Sequence, residues 1–223
     1  GVRMNKKAIK IGVVLSGCGF QDGAEIHESV LTLLSIQKNG AEYVCFAPDI
    51  PQHHVTNHIS GENMNETRNV LTESARIARG KISPLNAFDP AKVDALIFPG
   101  GFGAALNLSS FATQGTNCSV NEDVAKAIGS MIEQKKPIGA LCISPAIMAK
   151  ILKGAELTIG QDKGTAKTLE EMGAKHKTTN PGEIVVDPKF KLVTTPCYML
   201  ESTIPQIAEG AERVVKTIID MLN

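Results

Sequence analysis

Apolar residues fall along this chain in two alternating rhythms, short unbroken runs and longer stretches with helical spacing. The run "AIKIGVVLSG" (8–17) is rich in β-branched residues and ends in glycine, which predicts a strand covered on both faces. "DGAEIHESVLTLLSIQKNG" (22–40) follows, with Ile26, Val30, Leu33 and Leu34 at helical spacing and Gly40 as a stop. "AEYVCFAP" (41–48) predicts a second strand, and the three histidines between Asp49 and Gly61 fall in irregular chain or a short hairpin. "NETRNVLTESARIARG" (65–80) predicts a helix with Val70, Leu71, Ala75 and Ile77 on its apolar face.

The second half keeps the alternation. "VDALIFPGG" (93–101) predicts a buried strand that stops at Pro99-Gly100-Gly101, and a polar loop runs from about Asn107 to Asn121. The helix "NEDVAKAIGSMIEQKK", the strand "PIGALC" and the helix "SPAIMAKIL" come next. "AELTIG" and "TAKTLEEMGA" add a strand and a helix, "GEIVVDPKFKLVTTP" two strands about the Asp187-Pro188 turn, and Ile204 to Leu222 a last helix. Apolar strands alternating with helices mean a mostly parallel sheet with helices on both faces. Residues 8–223 are expected to form one domain. Residues 1–7 read as an N-terminal extension in which Met4 is the native start.

Composition narrows the function. Lys+Arg and Asp+Glu both number 23, so a formal charge of zero gives no bulk attraction to nucleic acid or an anionic membrane. Apolar runs are strand-length, short of the ~20 residues of a membrane helix. The five cysteines form no CxxC pair and no tight Cys/His cluster, which argues against a disulfide framework or structural zinc. A reducing cytoplasm is the expected compartment.

One cysteine stands apart. Cys142 closes the small-residue strand "PIGALC" where a helical pattern begins. A nucleophile at such a strand-to-helix turn is strained, exposed at the sheet edge and flanked by backbone N–H groups, and a helix N-terminus lowers a thiol pKa. A buried inert thiol fits the spacing equally well. Gly100 and Gly101 permit a tight turn or bring backbone N–H groups to an oxyanion. Asp22 and Glu25 have the spacing of a helix cap, while Glu25 also falls at the same sheet edge. Beside a thiolate it would have to be protonated, with its pKa raised.

Taken together, "IGVVLSGCGFQDGAEIHESVLTLL", "VCFAPD", "NHISGENMNETRNVLTESARIARG", "DALIFPGGFGAALNLSSFA", "LCISPA" and "IVVDPKFKLVTTPCYML" resemble the ElbB family. That family lies in the ThiJ/PfpI branch of the class I glutamine amidotransferase-like superfamily. The resemblance implies a flavodoxin-like three-layer α/β sandwich with a nucleophile-elbow cysteine, no cofactor, no metal and a homodimer. It implies a glyoxalase acting on a small aldehyde, glyoxal to glycolate, through a hemithioacetal on Cys142. Glu25 then shares a proton, the N–H groups of Gly101 and Ile143 hold the oxyanion, and His27 is a candidate base. Arg68 and Asn69 are candidates to bind a substrate oxygen. Ile143 stands where many superfamily peptidases have histidine, and His176 has Thr178, not glutamate, two positions on, so neither a peptidase nor a glutaminase triad is legible. The alternative is a non-catalytic redox or stress module using the same thiol.

Overall fold

The computed structural model describes residues 7–223. The N-terminal extension and its Met4 start lie almost wholly outside the described residues.

Among the described residues nine strands form, in chain order β1 (Lys10–Val14), β2 (Glu42–Ala47), β3 (Ile82–Pro84), β4 (Ala95–Phe98), β5 (Ile138–Leu141), β6 (Glu156–Leu157), β7 (Lys175–His176), β8 (Val185–Asp187) and β9 (Leu192–Thr195). Seven make the central sheet in the order β3-β2-β1-β4-β5-β9-β8, and β6 and β7 pair separately. Every neighbour in the large sheet is parallel except the β8–β9 hairpin. The chain builds outward from β1 to β3, then restarts at β4 on the other side. The loops after β1 and β4 therefore diverge, opening a crevice at their carboxyl ends.

The strands are apolar on both sides because both sides are covered. Along β4, Leu96 and Phe98 enter one core while Ala95 and Ile97 enter the other. The first core is closed by α5 (Glu122–Glu133), α6 (Pro145–Ile151) and α7 (Lys163–Glu171). The second is closed by α1 (Ile26–Lys38), α2 (Val70–Ile77) and α8 (Ile204–Leu222). Ile207, Val214, Val215 and Ile218 of α8 are fully enclosed, each contributing roughly 1.5–3 kcal/mol by leaving water. This is the three-layer flavodoxin-like sandwich expected.

Several elements depart from the reading of the sequence. The polar loop after residue 107 contains the short helix α4 (Phe111–Gln114), and α3 (Phe102–Leu106) precedes it. α2 begins only at Val70, because Asn69 caps it by accepting from the Thr72 N–H. The largest reversal is in α1. Ile26, Val30 and Leu34 face solvent at 43, 47 and 47% exposure, while Glu28, Ser29, Thr32 and Ser35 are buried beside Leu33 and Ile36. Helical spacing located the helix but not the side it packs, and that side carries the chemistry.

Candidate functional site

Three strand ends meet at Cys142. β5 delivers it with φ at +62°, a left-handed conformation that costs a side chain of this kind on the order of 1 kcal/mol. Its N–H donates to the Thr195 carbonyl at the end of β9 (3.0 Å). Ser144, wholly buried, holds the turn by donating from Oγ to the Pro99 carbonyl at 2.7 Å. The Gly101 and Ile143 N–H groups lie beside the thiol and act to lower its pKa. Both residues expected to supply main-chain donors thus surround Cys142, with Gly101 reaching it from the end of β4.

The acid at the sulfur is Glu28, not Glu25. Glu28 is fully buried beside Cys142, the two side chains meeting at Gly100, and the acid raises the pKa of the thiol. Its Oε1 accepts from the Gly100 N–H at 2.9 Å and its Oε2 from the Tyr198 N–H at 3.2 Å. Burial, followed by the Glu25 charge, pushes Glu28 up to about 8. Glu25 is the N-cap of α1, accepting from the Glu28 N–H at 2.6 Å, so the capping role suggested by its spacing is present. It is half-buried at the cleft wall, and burial raises its pKa too.

Burial also pushes the Cys142 thiol well above its ordinary value, and the neighbouring Glu28 charge adds to the rise. The two N–H donors pull the other way and do not win. The expected lowering by a helix N-terminus is therefore corrected: α6 is seven residues long, and the thiol lies in a nearly dry site. Two neighbouring groups that both resist ionisation titrate as a coupled pair, in two steps that belong to the pair rather than to either residue.

Gly100 is the hinge of this arrangement. A methyl group there would lie 2.3 Å from Cys142 Cβ and 2.7 Å from Glu28 Oε1, so only glycine lets the acid approach the thiol. Gly101 has φ at +96° and a methyl there would meet the Gly23 carbonyl at 2.4 Å. The Gly100 carbonyl accepts from the Glu25 N–H at 2.9 Å, locking the start of α1 to the β4 turn.

Above the thiol opens a cleft of about 820 Å³, lined by Glu25, His27, Tyr198 and Thr165 among the apolar Phe20, Phe102, Ala105, Phe111, Ala112, Ile143 and Met199. His27 Nδ1 lies 2.7 Å from the Tyr198 hydroxyl. Arg68 and Asn69 do not reach it, which corrects their proposed role in this pocket. Asn69 caps α2 and donates to Asp49 Oδ1, whereas Arg68 pairs with Glu66 and Glu73 and lines a separate polar cleft with Cys18 and His58.

Glu28, Tyr198 and the phenylalanines escaped the sequence reading. One signal pointed to Glu28: with Thr32 and Ser35 it marks a small, polar helix face, the kind that packs tightly against a sheet edge. Cys197 has φ at +42° and begins the turn that aims the Tyr198 N–H at Glu28.

No protein-family model matches the chain. It is 46% identical over 222 residues to "ES1 protein homolog, mitochondrial" of Rattus norvegicus, covering 95% of this chain and 84% of that protein. It is 45% identical over 226 residues to "Glutamine amidotransferase-like class 1 domain-containing protein 3, mitochondrial" of Homo sapiens, covering 97% of this chain and 84% of that protein. A solved "isoprenoid biosynthesis protein with amidotransferase-like domain" from Ehrlichia chaffeensis superposes with a TM-score of 0.91 at 32% identity, covering 97% of this chain and all of that one. At 16–17% identity, a ThiJ/PfpI domain protein of Brachyspira murdochii and glyoxalase III of Candida albicans share the fold alone, with TM-scores of 0.61 and 0.59. The two mammalian relatives are named mitochondrial, which overturns the cytoplasmic expectation. Identity at this level over nearly the whole chain makes the protein a member of the ES1 family of glutamine amidotransferase-like class 1 proteins.

Proposed function

We propose that the chain is an enzyme that needs no cofactor and converts a small dicarbonyl, glyoxal in the simplest case, to the corresponding hydroxy acid through Cys142. The observation that carries the reading is the thiol held between a buried acid and two main-chain donors at the floor of a cleft. Glu28, with its pKa near 8, is suited to exchange a proton with sulfur near neutrality. The sulfur adds to the aldehyde carbon, and the carbonyl electron pair moves to oxygen beside the Gly101 and Ile143 N–H groups, giving a hemithioacetal.

The carbon-bound hydrogen of that adduct then leaves as a proton. Its electron pair forms an enediol as the second carbonyl oxygen is protonated. Reprotonation at the second carbon yields a thioester, and water displaces the sulfur to release the hydroxy acid. One carbon is oxidised as its neighbour is reduced, and the net change is the addition of one water. The adjacent carbonyl acidifies the C–H bond, so the weak base Glu28 suffices where no histidine follows the nucleophile. His27, hydrogen-bonded to Tyr198 at the cleft wall, serves the hydrolytic water.

A protein named glyoxalase III shares this fold, so the architecture accommodates the chemistry. The test is carbon NMR of glyoxal incubated with purified protein. Glycolate is expected from the wild type, and at least a hundredfold less from Cys142→Ala and Glu28→Gln. Equal rates in all three would discard the assignment.

A further inference from the structure

Glyoxal fills little of a cleft of about 820 Å³, a volume typical of sites for far larger ligands. The walls are also chemically selective. The chain has seven phenylalanines, two tyrosines and no tryptophan, yet Phe20, Phe102, Phe111 and Tyr198 all converge here. Phe20 and Phe102 are each 49% exposed, held at the mouth without burial of their own to place them there. No lysine or arginine lines the cleft among the described residues, and Glu25 stands on its wall with burial already opposing its charge. A carboxylate carried on the substrate would find no lysine or arginine to pair with there.

We infer that the substrates are neutral 2-oxoaldehydes carrying an apolar, ring-sized group on the ketone carbon. The aldehyde reaches Cys142 while the ring lies between Phe102 and Phe111. The inference rests on the proposed chemistry of Cys142 and deepens it. Two polar carbonyls gain nothing from aromatic walls, whereas burying a phenyl ring raises kcat/KM by about tenfold to a hundredfold. The steps are those already given, with the ketone substituent as a spectator, so the product is the 2-hydroxy acid and one water is consumed.

Two measurements separate this inference from the catalytic reading. In the first, kcat/KM is compared for glyoxal, phenylglyoxal and 4-carboxyphenylglyoxal. Phenylglyoxal is expected to exceed glyoxal at least tenfold and the carboxylated analogue at least fivefold. Phe111→Ala and Phe102→Ala should each lower the phenylglyoxal-to-glyoxal ratio at least threefold, and exposed Phe102 can be truncated without risk to folding. Equal kcat/KM for the three substrates overturns the inference and leaves the Cys142 chemistry standing. In the second, acetophenone, which carries the ring but no aldehyde, is titrated into Cys142→Ala by calorimetry. Binding that Phe102→Ala weakens supports the inference even if no substrate turns over, an outcome that would sink the proposed reaction alone. Absence of binding counts against the ring site whatever the turnover.

Discussion

Glu28, on the buried face of α1, meets Cys142 at the end of β5 across Gly100 and raises the pKa of its thiol. Gly100 provides the space between them and its N–H satisfies one of the acid's oxygens at 2.9 Å. The carboxyl is held high by burial and the thiol by burial and by the carboxyl, so ionising one makes the other harder to ionise and the pair loses its protons in two separate steps. From this relationship the chemistry and the pH behaviour both follow.

Replacing Glu28 by Gln should change stability in a pH-dependent way. The folded chain keeps a proton on Glu28 up to about pH 8, whereas the unfolded chain releases it near 4.5. Stability from this group is full below the unfolded value, falls as pH rises between the two, and is level above the higher one. Unfolding free energies from urea titrations at pH 5, 6 and 7 should decline in the wild type relative to Glu28→Gln, with a slope on the order of 1 kcal/mol per pH unit. Parallel curves would contradict a protonated Glu28.

Glu25 and Glu28 are separable. Glu25→Ala removes a helix cap and should cost about 1 kcal/mol of stability. It should lower kcat/KM less than tenfold, against at least a hundredfold for Glu28→Gln. Steady-state kinetics on the two variants check the ranking, and the reverse order would return the acid's role to Glu25.

Gly100→Ala should fail structurally as well as chemically. The added carbon would stand 2.9 Å from the Leu141 carbonyl, in addition to its overlaps with Cys142 and Glu28. Overpacking of this kind costs about 1–3 kcal/mol. Thermal denaturation should show a lower Tm, and the residual fold should produce no glycolate.

The thiols should react in an order opposite to their chemical importance. Cys18 is the one cysteine that is not buried, although burial still raises its pKa. Peptide mass mapping should find it alkylated by iodoacetamide before Cys142. Turnover should survive that first modification, since Cys18 lines the separate polar cleft. Loss of activity in step with Cys18 labelling would overturn this order.

The sequence carried the frame of this molecule and part of its site. Unbroken apolar runs such as "ALIF" required a sheet covered on both faces, and small residues before Cys142 located the elbow. The acid was harder to place. Ile26, Val30 and Leu34 look like a core-facing stripe, and by that reading Glu28 points to solvent. The tight approach of α1 to Gly100 and α8 selects the opposite face, a choice marked in the sequence only by the polar stripe of Glu28, Thr32 and Ser35. Tyr198 and Phe111 were illegible for a related reason: they reach the cleft through loops and short helices whose course depends on tertiary contacts.

The most direct test is the pH dependence of Cys142 alkylation, read on its own peptide, in the wild type and in Glu28→Gln. A shared proton predicts a step near pH 8 in the wild type, where the pair first loses a proton, with a further rise at higher pH. The variant should lack that step and show a single rise at higher pH. Superimposable profiles in the two proteins would mean that the acid and the thiol titrate independently, and the account would fail at its centre.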